Sequence, residues 1–177
     1  LNAIAQSYLK KISTIKSDNK TILDKSLLNF LWIGFIRILF PKAKILHIKR
    51  DSKDTCLSCY KTLFDSGLYF TYDKYNLSSF YNHYTKLMNF WEKSLGNHFY
   101  TVKYEELIKD QNKNISNILN FCELDFDEKC LNFHKNKSMV KTMSASQVRQ
   151  KIYSSSVQSY KKYEDKLSDL FENLTVE

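Results

Sequence analysis

The stretch Phe40-Pro41-Lys42-Ala43-Lys44-Ile45-Leu46-His47-Ile48-Lys49-Arg50-Asp51 constrains the fold more than any other part of the chain. Ala43–Ile48 is a short apolar run with Pro41 before it and charges after it, the pattern of a buried strand. It runs straight into Arg50-Asp51. Asp51 or Ser52 suits the cap of a helix, because a short side-chain oxygen accepts from the free N–H groups of the first turn. Ser58 comes eight residues after Arg50, near the end of the second turn of that helix. A strand ending in Arg and feeding a helix that carries Ser places a planar cation and a hydroxyl at a sheet's carboxyl edge, where open α/β sheets bind ligands. Arg forks onto two oxygens of a phosphate and Ser donates to a third. The background makes Arg50 stand out: Lys and Arg total 27, yet only Arg37, Arg50 and Arg149 are arginines. An alternative accounts for the same residues, a surface Arg50–Asp54 ion pair beside an ordinary helical Ser58, since such pairs are common and weak.

The rest of the chain extends this unit. Leu1–Ile12 has helical spacing, Thr21–Leu23 is a short strand candidate that meets Asp24-Lys25, and Leu27–Leu39 is an apolar helix stopped by Pro41. The spacing predicts helices over Asp51–Phe64 and Asp73–Leu95, the second with Phe80, Tyr84, Leu87, Met88 and Trp91 on one side. Phe99–Val102 alternates and ends at Tyr104-Glu105, a third strand feeding a helix. Asn114–Cys122 and Leu167–Leu174 read as helices, and the Ser-rich Val140–Tyr160 has no assignable pattern. Three strands alternating with helices predict an α/β domain with a parallel sheet flanked by helices, spanning residues 1–177. Three strand ends then gather Lys25, Arg50 and Tyr104 at one edge, an anion site with a ring to stack on.

Charge and cysteine usage narrow the partners. A net charge of +8 favours an anionic partner, although a Lys-rich bias gives the same value without one. The basic residues are scattered and no nucleic-acid motif appears, so nucleic acid is not the expected partner. No apolar run reaches the roughly 18 residues of a membrane span. Cys56, Cys59, Cys122 and Cys130 do not have zinc-ribbon spacing, and the first two share a predicted helix. Plain reduced thiols in a reducing, cytoplasmic compartment are expected, with no metal. Gly34, Gly67 and Gly96 are isolated, so there is neither a Walker loop nor a dinucleotide fingerprint.

Taken together, four motifs in order resemble the sulfotransferase superfamily. They are Asp24-Lys25…Asn29-Phe30; Phe40-Pro41-x-Ala43-Lys44-Ile45 with Arg50-Asp51…Asp54-Thr55-Cys56-Leu57-Ser58-Cys59-Tyr60; Tyr104-Glu105-x-Leu107; and Thr142-x-Ser144-x-Ser146-Gln147-Val148-Arg149-Gln150. The resemblance covers nearly the whole chain and looks closest to the branch of bacterial tetratricopeptide-linked and tyrosylprotein sulfotransferases. It implies a three-layer, P-loop-NTPase-like fold, truncated at its N-terminus. The implied reaction transfers a sulfuryl group from 3′-phosphoadenosine 5′-phosphosulfate (PAPS) to a hydroxyl on a protein tyrosine, a glycan or a small molecule. By that resemblance Arg50 and Ser58 bind the 3′-phosphate, while Tyr104, Ser146, Gln147 and Arg149 line the cofactor. Lys25 and Ser144 are the catalytic groups that steady the transferring sulfuryl and the leaving phosphate.

The resemblance also places a glycine-rich 5′-phosphosulfate loop and the general base before Leu1, with tetratricopeptide repeats as upstream partners. A tyrosylprotein-type enzyme would be lumenal rather than cytoplasmic. Two positions depart from that branch: Thr62 stands where it has Arg, and Ser159 where it has a basic residue, with Lys161 and Lys162 close by. A degenerate, non-catalytic sulfotransferase fold that holds anions or glycans is the rival reading.

Overall fold

A parallel pair of strands, β1 (Ile45–Lys49) and β2 (Phe99–Lys103), forms the centre of the computed structural model. The residues described are 1–14, 21–64, 67–136, 149–150, 152 and 154–175. The register runs from Ile45 beside Phe99 to Lys49 beside Lys103. Both strands therefore end level, and both turn at once into helices: α3 (Ser52–Lys61) after β1 and α5 (Tyr104–Lys109) after β2.

The expected third strand is not there. Thr21–Leu23 is irregular and exposed, and the sheet among the described residues is two strands wide. The local physics explains this. Asp24 accepts from Tyr8 Oη at 2.5 Å and from Asn29 Nδ2 at 3.1 Å, which ties it to the first helix, α1 (Asn2–Ser13), and to a 3₁₀ turn at Asn29–Trp32. Leu23, 86% exposed, has no apolar face to join. The predicted helix at Leu27–Leu39 is correspondingly shorter: the 3₁₀ turn leads into α2 (Ile33–Leu39). The predicted helix at Leu167–Leu174 is α7 (Ser168–Glu172), preceded by a 3₁₀ turn.

Helices lie against both faces of the strand pair. On one side is α4 (Lys74–Leu95), and on the other Tyr100 stacks on Phe121 of α6 (Gln111–Phe121), with ring centroids 5.3 Å apart. Aspartates cap three of these helices as a capping oxygen should: Asp51 accepts from Asp54 N–H, Asp73 from Asn76 N–H and Asp110 from Lys113 N–H.

The long helix α4 organises the core, because its two halves serve two apolar clusters. Its N-terminal half, through Leu77 and Tyr81, packs with Cys56 and Leu57 of α3 and with Leu167, Leu170, Phe171 and Leu174 of the C-terminal segment. Its C-terminal half, through Met88, packs with Ile33 of α2 and Phe99 of β2. A polar relay fixes its rotation on the sheet. Thr101 Oγ1 donates to Glu92 at 2.8 Å and lies 3.4 Å from His47 Nδ1. His47 Nε2 lies 2.5 Å from Tyr84 Oη. The chain Tyr84–His47–Thr101–Glu92 thus links β1, β2 and α4.

The α2–α4 crossing depends on Gly34. A Cβ there would lie 2.7 Å from Trp91 Cη2, closer than packed carbons approach. Gly34→Ala is expected to cost roughly 1–3 kcal/mol. Chemical denaturation measures the loss, and the Trp91 fluorescence should shift with it. An unchanged midpoint and spectrum would show that the contact yields freely.

Candidate active site

The level ends of β1 and β2 bring Arg50 and Tyr104 side by side, as each directly follows its strand. Two contacts lock the pair. Asp51 N–H donates to Glu105 Oε1 at 3.0 Å, joining the two strand-to-helix corners. The Arg50 guanidinium carbon stands 5.5 Å from the centre of the Tyr104 ring, within cation–π range. Tyr104 thus supports Arg50 through its ring face.

A segment from the far end of the chain completes the edge. Arg50 Nη2 donates to the Ser156 carbonyl at 2.5 Å, and Tyr104 Oη lies 3.5 Å from Ser156 Oγ. Two residues on, Asp54 takes over. Its carboxylate is 0% exposed and accepts from Gln158 N–H at 2.6 Å, Ser159 Oγ at 2.9 Å and Tyr160 N–H at 3.0 Å. Arg50 Nη2 is 3.9 Å from Asp54 Oδ2. The ion pair considered from sequence is therefore real but is not a surface pair, because its acid is buried and hydrogen-bonded to three donors. Around it Lys53 reaches Glu164 at 2.9 Å and lies over Tyr160 and Phe171.

One atom at this edge has no partner. Arg50 Nε is buried without a hydrogen bond. An unpaired buried guanidinium N–H is costly, on the order of 1–3 kcal/mol or more, so it marks a position that an anion would satisfy. Arg37 Nε is likewise buried without a partner, but Arg37 differs in setting: its Nη1 donates to the carbonyls of Pro41 and Ala43 and so secures the loop before β1.

The other expected site residues are placed as follows. Ser58 is exposed in the second half of α3, and its carbonyl accepts from Thr62 Oγ1. Lys25 lies in the exposed stretch 21–27 and is not at a strand end, so the expected Lys–Arg–Tyr gathering reduces to Arg50 and Tyr104. Arg149 is exposed. Ser144, Ser146 and Gln147 lie outside the described residues. Asp54, Ser156 and Glu105 are the participants sequence reasoning missed. Asp54 offered only an i,i+4 spacing to Arg50, which points to a surface pair, and its true partners lie more than 100 residues downstream.

The thiols of the Cys56-x-x-Cys59 pair are structural. All four cysteines are free, and burial pushes the Cys56 and Cys59 thiols well above the usual cysteine range. Burial also raises Cys122, and the hydrogen bond to Asp24 pushes Tyr8 up to about 12. The sign follows from proton linkage. Each of these groups keeps its proton in the fold at pH values where the unfolded chain has lost it, so stability is present at neutral pH and falls as pH rises. The decline should begin near pH 9 with the cysteines and continue through the Tyr8 range. Denaturation midpoints across that range measure it. At neutral pH Cys56 should also resist maleimide labelling until the chain unfolds.

Among the described residues no group of His, Cys, Asp or Glu is arranged to hold a metal ion, and no helix is long and apolar enough to cross a membrane. Comparison with known proteins bears on the chemistry. A family model described as "Sulfotransferase family" matches residues 1–128. An uncharacterized protein of Aquifex aeolicus (strain VF5) is 33% identical over 177 residues, covering 98% of this chain and 23% of that protein. The chain thus spans about a quarter of the length of that relative.

Proposed function

Because the chain belongs to the sulfotransferase family, we propose that it forms the 3′-phosphate side of a PAPS site in an enzyme that transfers a sulfuryl group to a hydroxyl. The observation that carries this reading is Arg50. Its guanidinium lies on the Tyr104 ring at the joined strand ends, with Nε buried and unpaired. A phosphate oxygen on that fork restores the missing hydrogen bond and neutralises a cation held at a sheet's carboxyl edge.

The remaining roles follow from the chemistry. In sulfuryl transfer the acceptor oxygen forms a bond to sulfur while the bond from sulfur to the bridging phosphate oxygen breaks. The acceptor proton passes to a base, and negative charge collects on the departing phosphate. In this reading Ser58 adds a donor to the 3′-phosphate. Ser146, Gln147 and Arg149 line the nucleotide. Lys25 and Ser144 steady the charge that develops on the leaving oxygen, where one well-placed donor is worth about 10²–10³ in rate. The acceptor is a hydroxyl of a protein tyrosine, a glycan or a small molecule.

Arg50→Ala tests the assignment. It should weaken binding of 3′-phosphoadenosine 5′-phosphate by about 1.5–3 kcal/mol, roughly 10- to 150-fold. Binding of adenosine 5′-phosphate should change little. Arg50→Lys should rescue only part of the loss, because an ammonium cannot fork. Equal losses for both ligands in calorimetry would refute the role.

A second expectation concerns turnover. Holding the 5′-phosphosulfate calls for backbone N–H groups of a glycine-rich loop at a helix N-terminus, and the three glycines of this sequence are isolated. The 177-residue chain is expected to bind 3′-phosphoadenosine 5′-phosphate without transferring sulfate. A transfer assay with labelled PAPS against tyrosine peptides, glycans and simple alcohols decides this, and clear turnover would show the sulfuryl-binding elements to be misplaced.

A further inference from the structure

We propose that Asp54 is a positioning residue that holds the Arg50 edge in register for a 3′-phosphate by anchoring the returning segment 154–160. The proposal rests on the reading of Arg50 as the 3′-phosphate ligand and assigns a second residue to that specificity. Three observations carry it.

The first is the degree of burial and satisfaction. Asp54 is 0% exposed, and its two oxygens accept from Gln158 N–H, Ser159 Oγ and Tyr160 N–H. A buried carboxylate is tolerated where donors surround it. Here all three come from a single three-residue turn.

The second is the shape of that turn. Gln158 has φ of +57°, a left-handed conformation that is uncommon for a residue with a side chain. Its N–H points at Asp54 Oδ2 at 2.6 Å, so the anchor and the unusual backbone angle coincide.

The third is what the anchor controls. Ser156, two residues upstream, puts its carbonyl on Arg50 Nη2 at 2.5 Å and its hydroxyl 3.5 Å from Tyr104 Oη. Arg50 is thus framed by the Tyr104 ring, the Ser156 carbonyl and Asp54 itself. A long side chain already held in one place loses less freedom when a ligand arrives, and binding is tighter for it. Ser159 adds a short side-chain donor that reaches the buried carboxylate at 2.9 Å.

Two effects of Asp54 oppose each other. Its negative charge, taken alone, disfavours a phosphate at Arg50. Its hydrogen bonds order the segment that frames Arg50. Three donors already offset the charge, so the ordering effect dominates, and removing the charge should weaken selective binding.

The experiment is isothermal calorimetry on the 177-residue chain with two probes, 3′-phosphoadenosine 5′-phosphate and adenosine 5′-phosphate. The quantity read is the ratio of their affinities. Asp54→Asn should lower that ratio at least tenfold and leave adenosine 5′-phosphate binding within about twofold. In an Arg50→Ala background the same change should alter the ratio less than twofold, since Asp54 acts through Arg50. Ser159→Ala removes one donor without stranding a buried charge. It should lower the ratio two- to fivefold, and it decides the matter if Asp54→Asn does not fold.

Three outcomes overturn the proposal. One is an unchanged or increased ratio in the variant that folds. Another is equal weakening of both probes, the mark of a purely structural residue. The third is a full effect of the Asp54 change without Arg50. A wild-type chain with no preference for the 3′-phosphate, or an Arg50→Ala variant that keeps it, would instead sink the reading of the Arg50 site on which this inference stands.

Discussion

The level parallel register of β1 and β2 is the constraint on which the site depends. With Lys49 opposite Lys103, the next residue on each strand is the first of a corner, and the two corners are neighbours. Arg50 and Tyr104 meet for that reason alone. A shift of one residue would turn one of them to the opposite face, because side chains alternate along a strand. The bond from Asp51 N–H to Glu105 fixes the same register from outside the ladder. Asp51 performs two tasks, since its side chain also caps α3 through Asp54 N–H. One aspartate thus closes the sheet corner and starts the helix that carries Asp54 and Ser58.

The second constraint is α4, which joins two apolar clusters that otherwise share little. At one end it holds α3 and the C-terminal segment, and at the other the sheet and α2. The C-terminal segment matters for the site because it includes the approach to Ser156 and the turn anchored by Asp54. Leu170 and Phe171, buried under α3 and α4, fix that approach from below, while Lys53 clamps it from above by lying over Tyr160 and Phe171. The apolar packing places the segment to within a few residues. The carboxylate of Asp54 then selects which backbone N–H groups face it.

Much of this was legible in the sequence, and the rest was not for physical reasons. β1, α3, α4 and β2 announce themselves through local signals: an apolar run against a proline, an Asp at a helix start, a long period of aromatics, an alternation ending in charge. The Arg50–Tyr104 pairing also follows once both strands are taken as parallel. Thr21–Leu23 misled because three residues of β-forming type cannot be told from an exposed turn without knowing whether a neighbour strand exists, and the pull of Asp24 toward Tyr8 is a tertiary effect. Asp54 misled in a different way. Its spacing from Arg50 is that of an ordinary helical ion pair, and nothing local records that it is buried or that its donors arrive from residues 158–160. Sequence periodicity reports which face of an element is apolar. It does not report which polar group is taken inside to hold a distant loop.

Satisfied and unsatisfied polar groups fall at different places in the fold. Asp54, with three donors, is complete as it stands, and the His47–Tyr84–Thr101–Glu92 relay joins both strands to α4. Completed networks stiffen a fold and ask for nothing further. Arg50 differs in that Nη2 is held while Nε is buried without a partner. Other orphan atoms among the described residues are Thr85 Oγ1 and Trp91 Nε1 on α4, His134 Nδ1, and Arg37 Nε on α2. At Arg50 the orphan belongs to a cation, sits at the carboxyl edge of a parallel sheet and is framed by three fixed contacts. In the proposed reading, an anion on that fork supplies the missing acceptor. Arg37 also carries a buried Nε without a partner, but its Nη1 secures the carbonyls of Pro41 and Ala43 in the loop before β1. Place, rather than the orphan atom alone, separates the two arginines: Arg50 follows β1 at the carboxyl edge of the parallel pair, on the Tyr104 ring, whereas Arg37 lies on α2.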